Sequence, residues 1–219
     1  AVQRAGFIPA GRIAANAGTT RHATWVNCFV LPIAVPPGRA CDDAPALQAA
    51  LDETVVTLRM GGGVGLDFSP LPPRGAPFDG GGGAASGPVA ALQRFEAACQ
   101  ALDAGGSRRG ALMGVLRCDH PDVLAFAAAK AGGGLTHFNL SVGVTDTFMQ
   151  AVQADAELPL VHAAEPGVAL RAAGATLEHD GNWCWQHVPA RRLWQTLVKE
   201  AHAHGDPGLL FLDRINADN

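Results

Sequence analysis

The sequence predicts an α/β protein built on a mostly parallel sheet with flanking helices. Three observations carry that class. Short runs rich in apolar and β-branched residues alternate with segments whose apolar residues recur at helical spacing. The strand-like runs are continuously apolar, as strands of parallel sheets are. Loops rich in glycine and proline separate the two kinds of segment, and no internal repeat interrupts the pattern.

The elements follow in order. TWVNCFVLPI (24–33) reads as a buried strand with Cys28 in its middle. A Pro/Gly loop (36–40) leads to a helix carrying Leu47, Leu51, Val55 and Leu58, with Asp42 or Asp43 as its N-cap. GGGVGLDFS (61–69) reads as a tight turn and a short strand. Residues 70–88 form a Gly/Pro loop, long enough to be functional or mobile. Ser86 caps a helix through Val89, Leu92, Phe95, Cys99 and Leu102, closed by Gly105. ALMGVLRC (111–118) is a strand, with a short helix after Asp119-His120-Pro121, and HFNLSVGV (137–144) is another strand. Thr145 caps a helix through Phe148, Met149 and Val152. An irregular stretch (157–187) precedes a helix opened by Pro189, lined by Leu193, Leu197 and Ala201, and stopped by Gly205. GLLFLDRI (208–215) reads as a last, buried strand, so the chain ends as if inside a larger architecture.

The 219 residues are 48 % hydrophobic, enough to bury a sizeable core. A net charge of −4 argues against bulk nucleic-acid binding, and no apolar stretch is long enough for a membrane span. No leader is visible. The five cysteines, Cys28, Cys41, Cys99, Cys118 and Cys184, are odd in number and lack CxxC spacing. That pattern argues against a disulfide scaffold or a zinc ribbon and for a reducing cytoplasm, with most of the thiols acting as small core hydrophobes.

Three segments are candidates for chemistry. GGSRRGA (105–111) places Arg108 and Arg109 among glycines, where backbone N–H groups and guanidinium forks suit an anion. A solvated basic turn explains the same residues equally well. MGGGVGLDF lets a ligand or a second backbone approach closely, yet it is neither a phosphate-loop nor a dinucleotide fingerprint, because no Lys-Ser/Thr follows and a strand comes next. Cys28 is the third candidate. The histidines show no metal-ligand spacing, Trp183-Cys184-Trp185 reads as packing, and no Ser-His-Asp arrangement is evident.

Taken together, FIPAGRI…AGT (7–19), NCFVLPI, GGGVGLDFSPLPPRGA, ASGPVAALQRF, GSRRGALMGVLRCDHPDVLAF, FNLSVGVTDTFMQAVQAD and DPGLLFLDRINADN resemble the large catalytic subunit of ribonucleotide reductases. They are most similar to its adenosylcobalamin-dependent class II branch. The resemblance implies that residues 1–219 form one partial domain, the first half of a ten-stranded α/β barrel. It implies reduction of a ribonucleotide at its 2′-carbon by thiyl-radical chemistry, with Cys28 as one of two reducing thiols. It further implies that Asn27, Cys28, Gly62 and Gly63 line the substrate site. Gly105, Gly106, Ser107, Arg108, Arg109, Gly110 and Ala111 would form a loop that senses nucleotides.

The implied partners are a ribonucleotide, a dithiol reductant, adenosylcobalamin, and either a second copy or the other half of the barrel. The family's Asn-x-Cys-x-Glu signature, with its thiyl cysteine, and the second reducing thiol are expected beyond residue 219. Two departures bear on regulation. Val35 stands where an acidic residue usually contacts the effector sugar, and Pro70 and Pro72 replace arginines that meet effector phosphates. Binding of a deoxynucleoside triphosphate effector is therefore expected to be weak. The residues also allow a truncated, non-catalytic nucleotide-binding or interaction module derived from the same fold.

Overall fold

The computed structural model describes residues 6, 8–35, 44–78, 82–103 and 109–219. The expected caps Asp42 and Asp43, the closing Gly105, and Cys41, Gly106, Ser107 and Arg108 lie outside the described residues.

A short helix, α1 (Gly11–Asn16), precedes the sheet. The sheet then grows by repeated β–helix–β units: β1 (Cys28–Leu31), α2 (Ala44–Arg59), β2 (Gly63–Asp67), α3 (Pro88–Asp103), β3 (Leu112–Arg117), α4 (Val123–Ala127) and β4 (Phe138–Val144). After α5 (Asp146–Ala154) come β5 (Glu157–His162), α6 (Val168–Ala172), β6 (Thr176–Leu177) and β7 (Trp183–Pro189). Helix α7 (Ala190–His204), strand β8 (Gly208–Phe211) and helix α8 (Leu212–Ala217) complete the chain. One sheet has the order β1-β2-β3-β4-β8, and every neighbouring pair in it is parallel. It is α/β with flanking helices, as expected, and it is open rather than closed into a barrel.

Helices cover one face. Val64, Leu66, Leu112, Leu116, Leu140 and Val142 point into a core with Leu92 and Phe95 of α3. There Phe68 meets Phe95 edge-on at 5.8 Å and Phe138 at 6.1 Å between ring centroids. The helix ends obey local chemistry. The Thr145 hydroxyl accepts the Phe148 N–H at 3.2 Å. Pro189 sits at the N-cap of α7, and Gly205 ends it in a left-handed conformation.

Four expectations need correction. The stretch 24–33 is not a buried strand: β1 is a four-residue edge strand, its first residue Cys28 is exposed, and Val30 is 86 % exposed. Its apolar residues alternate between the helix layer and an uncovered face, so continuous hydrophobicity did not mean burial on both sides. Residues 208–215 are likewise an edge strand only to Phe211, after which the chain turns helical. Residues 157–187 are not irregular: β5, β6 and β7 form an antiparallel sheet of order β5-β7-β6. Pro159 inside β5 and a register shift between Leu160 and Val161 had hidden its strand pattern.

The last correction is at α3, which starts at Pro88, so its N-cap position falls on Gly87 (φ 81°) rather than Ser86. The 70–88 loop is tied down where it is described. Ala76 and Ala85 pack with Ala164 and Trp185, whose indole N–H donates to the Ala164 carbonyl at 3.0 Å.

Candidate functional site

Helix α2 ends in a turn that shapes the site. The Gly61 N–H donates to Leu58 O at 2.8 Å and the Gly62 N–H to Thr57 O at 2.9 Å, the paired closure of a Schellman motif. Gly61 takes the positive φ (81°) this closure requires. The chain then enters β2, where the Gly63 N–H donates to Asn27 O at 2.7 Å. In register, Cys28 lies beside Gly63, and Val64 lies beside Leu112.

The result is a small pocket at the amino ends of β1 and β2 and the approach to β3. Its volume is about 130 Å³, and its wall includes Asn27, Cys28, Gly62, Gly63, Arg109 and Gly110. Ala111 completes the wall on the β3 side. Segments more than eighty positions apart in sequence (27 and 111) thus meet at one place. The structure brings together Asn27, Cys28, Gly62, Gly63, Arg109, Gly110 and Ala111. Gly105, Gly106, Ser107 and Arg108 are outside the described residues.

The two glycines differ in what they do. A Cβ on Gly62 would fall 2.8 Å from both Phe29 Cε2 and Thr57 Cγ2, so the packing of α2 on β1 requires glycine there. A Cβ on Gly63 would stay 3.5 Å or more from protein atoms, including 3.7 Å from Cys28 Sγ. The protein tolerates a methyl at Gly63, and its absence leaves room in the pocket. Gly62→Ala is therefore expected to cost about 1–3 kcal/mol by overpacking, whereas Gly63→Ala leaves unfolding unchanged within about 0.5 kcal/mol. Denaturant titration of the two variants distinguishes them, and equal destabilisation contradicts the assignment.

Arg12 is a residue that sequence reasoning passed over. It is 8 % exposed. Its guanidinium donates to the Asn27 side-chain oxygen, to the Thr24 hydroxyl, and to Gly61 O at 2.5 Å. It thus fixes the Asn27 amide and the glycine turn together. The only signal was an arginine inside the apolar segment FIPAGRI, quoted above without a role.

The described cysteines are all free; Cys28 is exposed, while Cys99, Cys118 and Cys184 are buried. Burial pushes the Cys99 thiol up to about 12, helped by the nearby carboxylates of Glu96 and Asp103. Burial also raises Cys118 and Cys184. Cys28 is thus the described thiol open to a ligand or a second thiol, and the described residues hold no metal-ligating cluster. No described helix is long and apolar enough to cross a membrane.

An open parallel α/β sheet thus carries an accessible thiol, a glycine turn and an arginine around one small pocket. The chain belongs to the ribonucleotide reductase family: the family model described as "Ribonucleotide reductase, barrel domain" matches residues 26–219. It is 39 % identical over 215 residues to a vitamin B12-dependent ribonucleoside-diphosphate reductase of Mycobacterium tuberculosis, covering 97 % of this chain and 28 % of that protein. The protein of the same name from Thermoplasma acidophilum is 34 % identical, with 97 % of this chain and 25 % of the relative covered. A vitamin B12-dependent ribonucleotide reductase of Streptomyces coelicolor is 29 % identical over 92 % of this chain. The chain thus spans about a quarter of the length of these relatives.

Proposed function

We propose that this chain supplies the first half of the catalytic barrel of a vitamin B12-dependent ribonucleotide reductase, with the Cys28 pocket holding part of the ribonucleotide. The observation that supports this most is the convergence of Asn27, Cys28, Gly63 and Arg109 on one pocket at the amino ends of β1 and β2. At about 130 Å³ the pocket is smaller than the roughly 300–1,000 Å³ that encloses a whole small molecule. It suits a sugar-sized portion of the substrate, with the remainder lying across the face that a second half or a second copy would cover. Residues 105–111 form the nucleotide-sensing loop in this reading, and Arg109 is its described cation.

The reaction balances on thiols. The C2′–O bond breaks, a C2′–H bond forms, the oxygen leaves as water, and two thiols give two electrons and two protons as they close to one disulfide. Cys28 is one of the two in this reading. Adenosylcobalamin is the cofactor that the relatives' names imply, and it would supply the radical. The Cys28 pocket, at about 130 Å³, is too small for a corrin, and its residues do not fit that group.

The test is protection of a thiol. In the 219-residue chain, iodoacetamide alkylation of Cys28, read by peptide mass, is expected to slow with a ribonucleoside diphosphate and not with inorganic phosphate. Alkylation indifferent to nucleotide overturns the reading. Protection without turnover in any longer polypeptide selects the non-catalytic nucleotide-binding module instead.

Effector binding is expected to be weak. Pro70 and Pro72 offer no phosphate donors, and Pro72 is buried. Each missing charge-assisted contact costs about 1.5–3 kcal/mol, so two lower affinity by about a hundredfold or more. Calorimetry that finds micromolar binding of any deoxynucleoside triphosphate contradicts this.

A further inference from the structure

Outside the pocket, a buried ionic cluster lies directly behind the Arg109–Ala111 wall. His137 opens the approach to β4, and its ring faces two carboxylates from α3. Nδ1 lies 2.7 Å from Glu96 Oε1, and Nε2 lies 2.7 Å from Asp103 Oδ2. A neutral imidazole has one N–H, so only the doubly protonated ring donates to both. Glu96, 3 % exposed, has other donors: the Thr136 N–H at 3.1 Å, the Thr136 hydroxyl at 3.0 Å, the His137 N–H at 3.1 Å and the Gln100 amide at 3.1 Å. Asp103 has fewer. Its Oδ1 accepts the Gly110 N–H at 3.1 Å, and the Arg109 guanidinium approaches Oδ2 at 4.0 Å.

The same two residues of the β4 approach hold the loop's far end by backbone. The His137 carbonyl accepts the Leu112 N–H at 2.9 Å, and the Thr136 carbonyl accepts from Arg109 Nη2 at 3.4 Å. Cys99 fills the gap behind Gly110, where a Cβ would sit 3.2 Å from its sulfur. Asp103 is the last described residue before the loop and Gly110 lies near the loop's far end, so one carboxylate ties the end of α3 to that part of the loop and His137 anchors the carboxylate to the sheet.

We propose that His137, as an imidazolium, is a positioning residue that fixes the Arg109–Gly110–Ala111 wall of the Cys28 pocket through Asp103. The charged and titratable groups around it are Glu96, Asp103 and Cys99 on α3 and Arg109 on the loop; the Cys99 thiol is neutral at any working pH. Burial opposes the charge on His137, but the hydrogen bonds to Asp103 and Glu96 outweigh it and raise the ring above its ordinary 6.5. The hydrogen bond from His137 holds Asp103 below the usual carboxylate range. When the ring loses its proton, one carboxylate must lose its donor. Glu96 is deeply buried and keeps its donor, so Asp103 is released and Gly110 with it.

The sign follows from linkage. The closed wall binds one proton more tightly than the opened one. The staple is therefore at full strength below 6.5, weakens by up to about tenfold per pH unit above it, and levels off once pH passes the ring's own raised pKa.

The test uses the 219-residue chain and nuclear magnetic resonance. Ring-nitrogen spectra of His137 are expected to show both nitrogens protonated at neutral pH. Gly110 amide protection, corrected for intrinsic exchange, is expected to fall with rising pH over that window while Val142 in β4 stays protected. Asp103→Asn lowers the ring pKa, and His137→Gln removes the pH dependence and speeds Gly110 exchange by about ten- to a hundredfold, the equivalent of one charge-assisted hydrogen bond. A ring that titrates at or below 6.5 in the unaltered chain overturns the proposal, as does Gly110 protection that is flat across the window. Neither measurement requires nucleotide binding, so this inference and the proposed function fail separately.

Discussion

Replacing Cys28 with serine in a polypeptide that carries the whole barrel is expected to abolish dithiol-driven ribonucleotide reduction, by at least about a thousandfold, the scale on which losing a covalent participant acts. Serine keeps the size and the exposed position at the start of β1. It cannot form a disulfide, and each product molecule needs two electrons from a thiol pair. Cys184→Ala is the control, because that thiol is buried in β7, away from the pocket. The 219-residue chain assayed alone with adenosylcobalamin and a dithiol is expected to give no product above the cofactor-free blank. Of the family's chemical thiols, the resemblance places only Cys28 within it. Turnover that survives Cys28→Ser removes the redox assignment. Product from the 219 residues alone that disappears in that variant shows that this segment is an enzyme by itself.

Acidification from pH 6.5 to 5 is expected to lower the unfolding free energy steeply, through two histidines rather than through carboxylates. His120 and His162 meet edge-on with ring centroids 5.3 Å apart. His120 Nε2 lies 3.0 Å from Leu71 O, and its Nδ1 accepts the Asp122 N–H at 3.0 Å. His162 Nδ1 accepts the Ala164 N–H at 2.9 Å. A ring nitrogen that accepts cannot be protonated without breaking that bond. Burial lowers both rings from 6.5 to about 4, and His120 also disfavours charge on His162.

The unfolded chain therefore takes up protons below 6.5 that the folded chain refuses. Stability is full above 6.5 and is lost as pH falls toward 4. A depression of that size is worth about 3 kcal/mol per ring at most, which is large against the roughly 5–15 kcal/mol of a typical domain. His137, with its raised pKa, stays protonated in the folded chain while the unfolded chain takes up that proton only as pH falls through 6.5, so it opposes part of this slope near 6.5. The pair sits where the five-stranded and three-stranded sheets join, beside the Val161 N–H bond to Asp119 O at 2.6 Å. Denaturant titrations at pH 7, 6 and 5 measure the effect, and His162→Leu is expected to remove part of the slope. A midpoint unchanged between pH 7 and 5 refutes it.

Much of the framework was legible in the chain because it depends on neighbours in sequence. Thr145, Pro189 and Gly205 mark helix ends by their own backbone chemistry. The strands β2, β3 and β4 and the helices between them follow from local apolar spacing. The thiol, the glycine turn and the basic loop were singled out by residue type and by family resemblance, and the seven residues so chosen that are described, Asn27, Cys28, Gly62, Gly63, Arg109, Gly110 and Ala111, line the pocket. The antiparallel unit was not legible, since a proline and a register shift in β5 break the alternation that reveals a strand.

Tertiary structure alone decided which apolar strand faces are covered. Helix packing buries one side, and an exposed Val30 reads in sequence like a core valine because a side chain carries no mark of what lies over it. Structure alone also joined Arg12 to Asn27 and Gly61, and His137 to Glu96 and Asp103. The one hint was Glu96, an acid within the apolar stripe of Leu92, Phe95 and Cys99. A buried carboxylate announces that a donor must meet it. Which donor meets it, forty-one residues away at His137, is set by the parallel pairing of β3 with β4 and by no local feature of either segment.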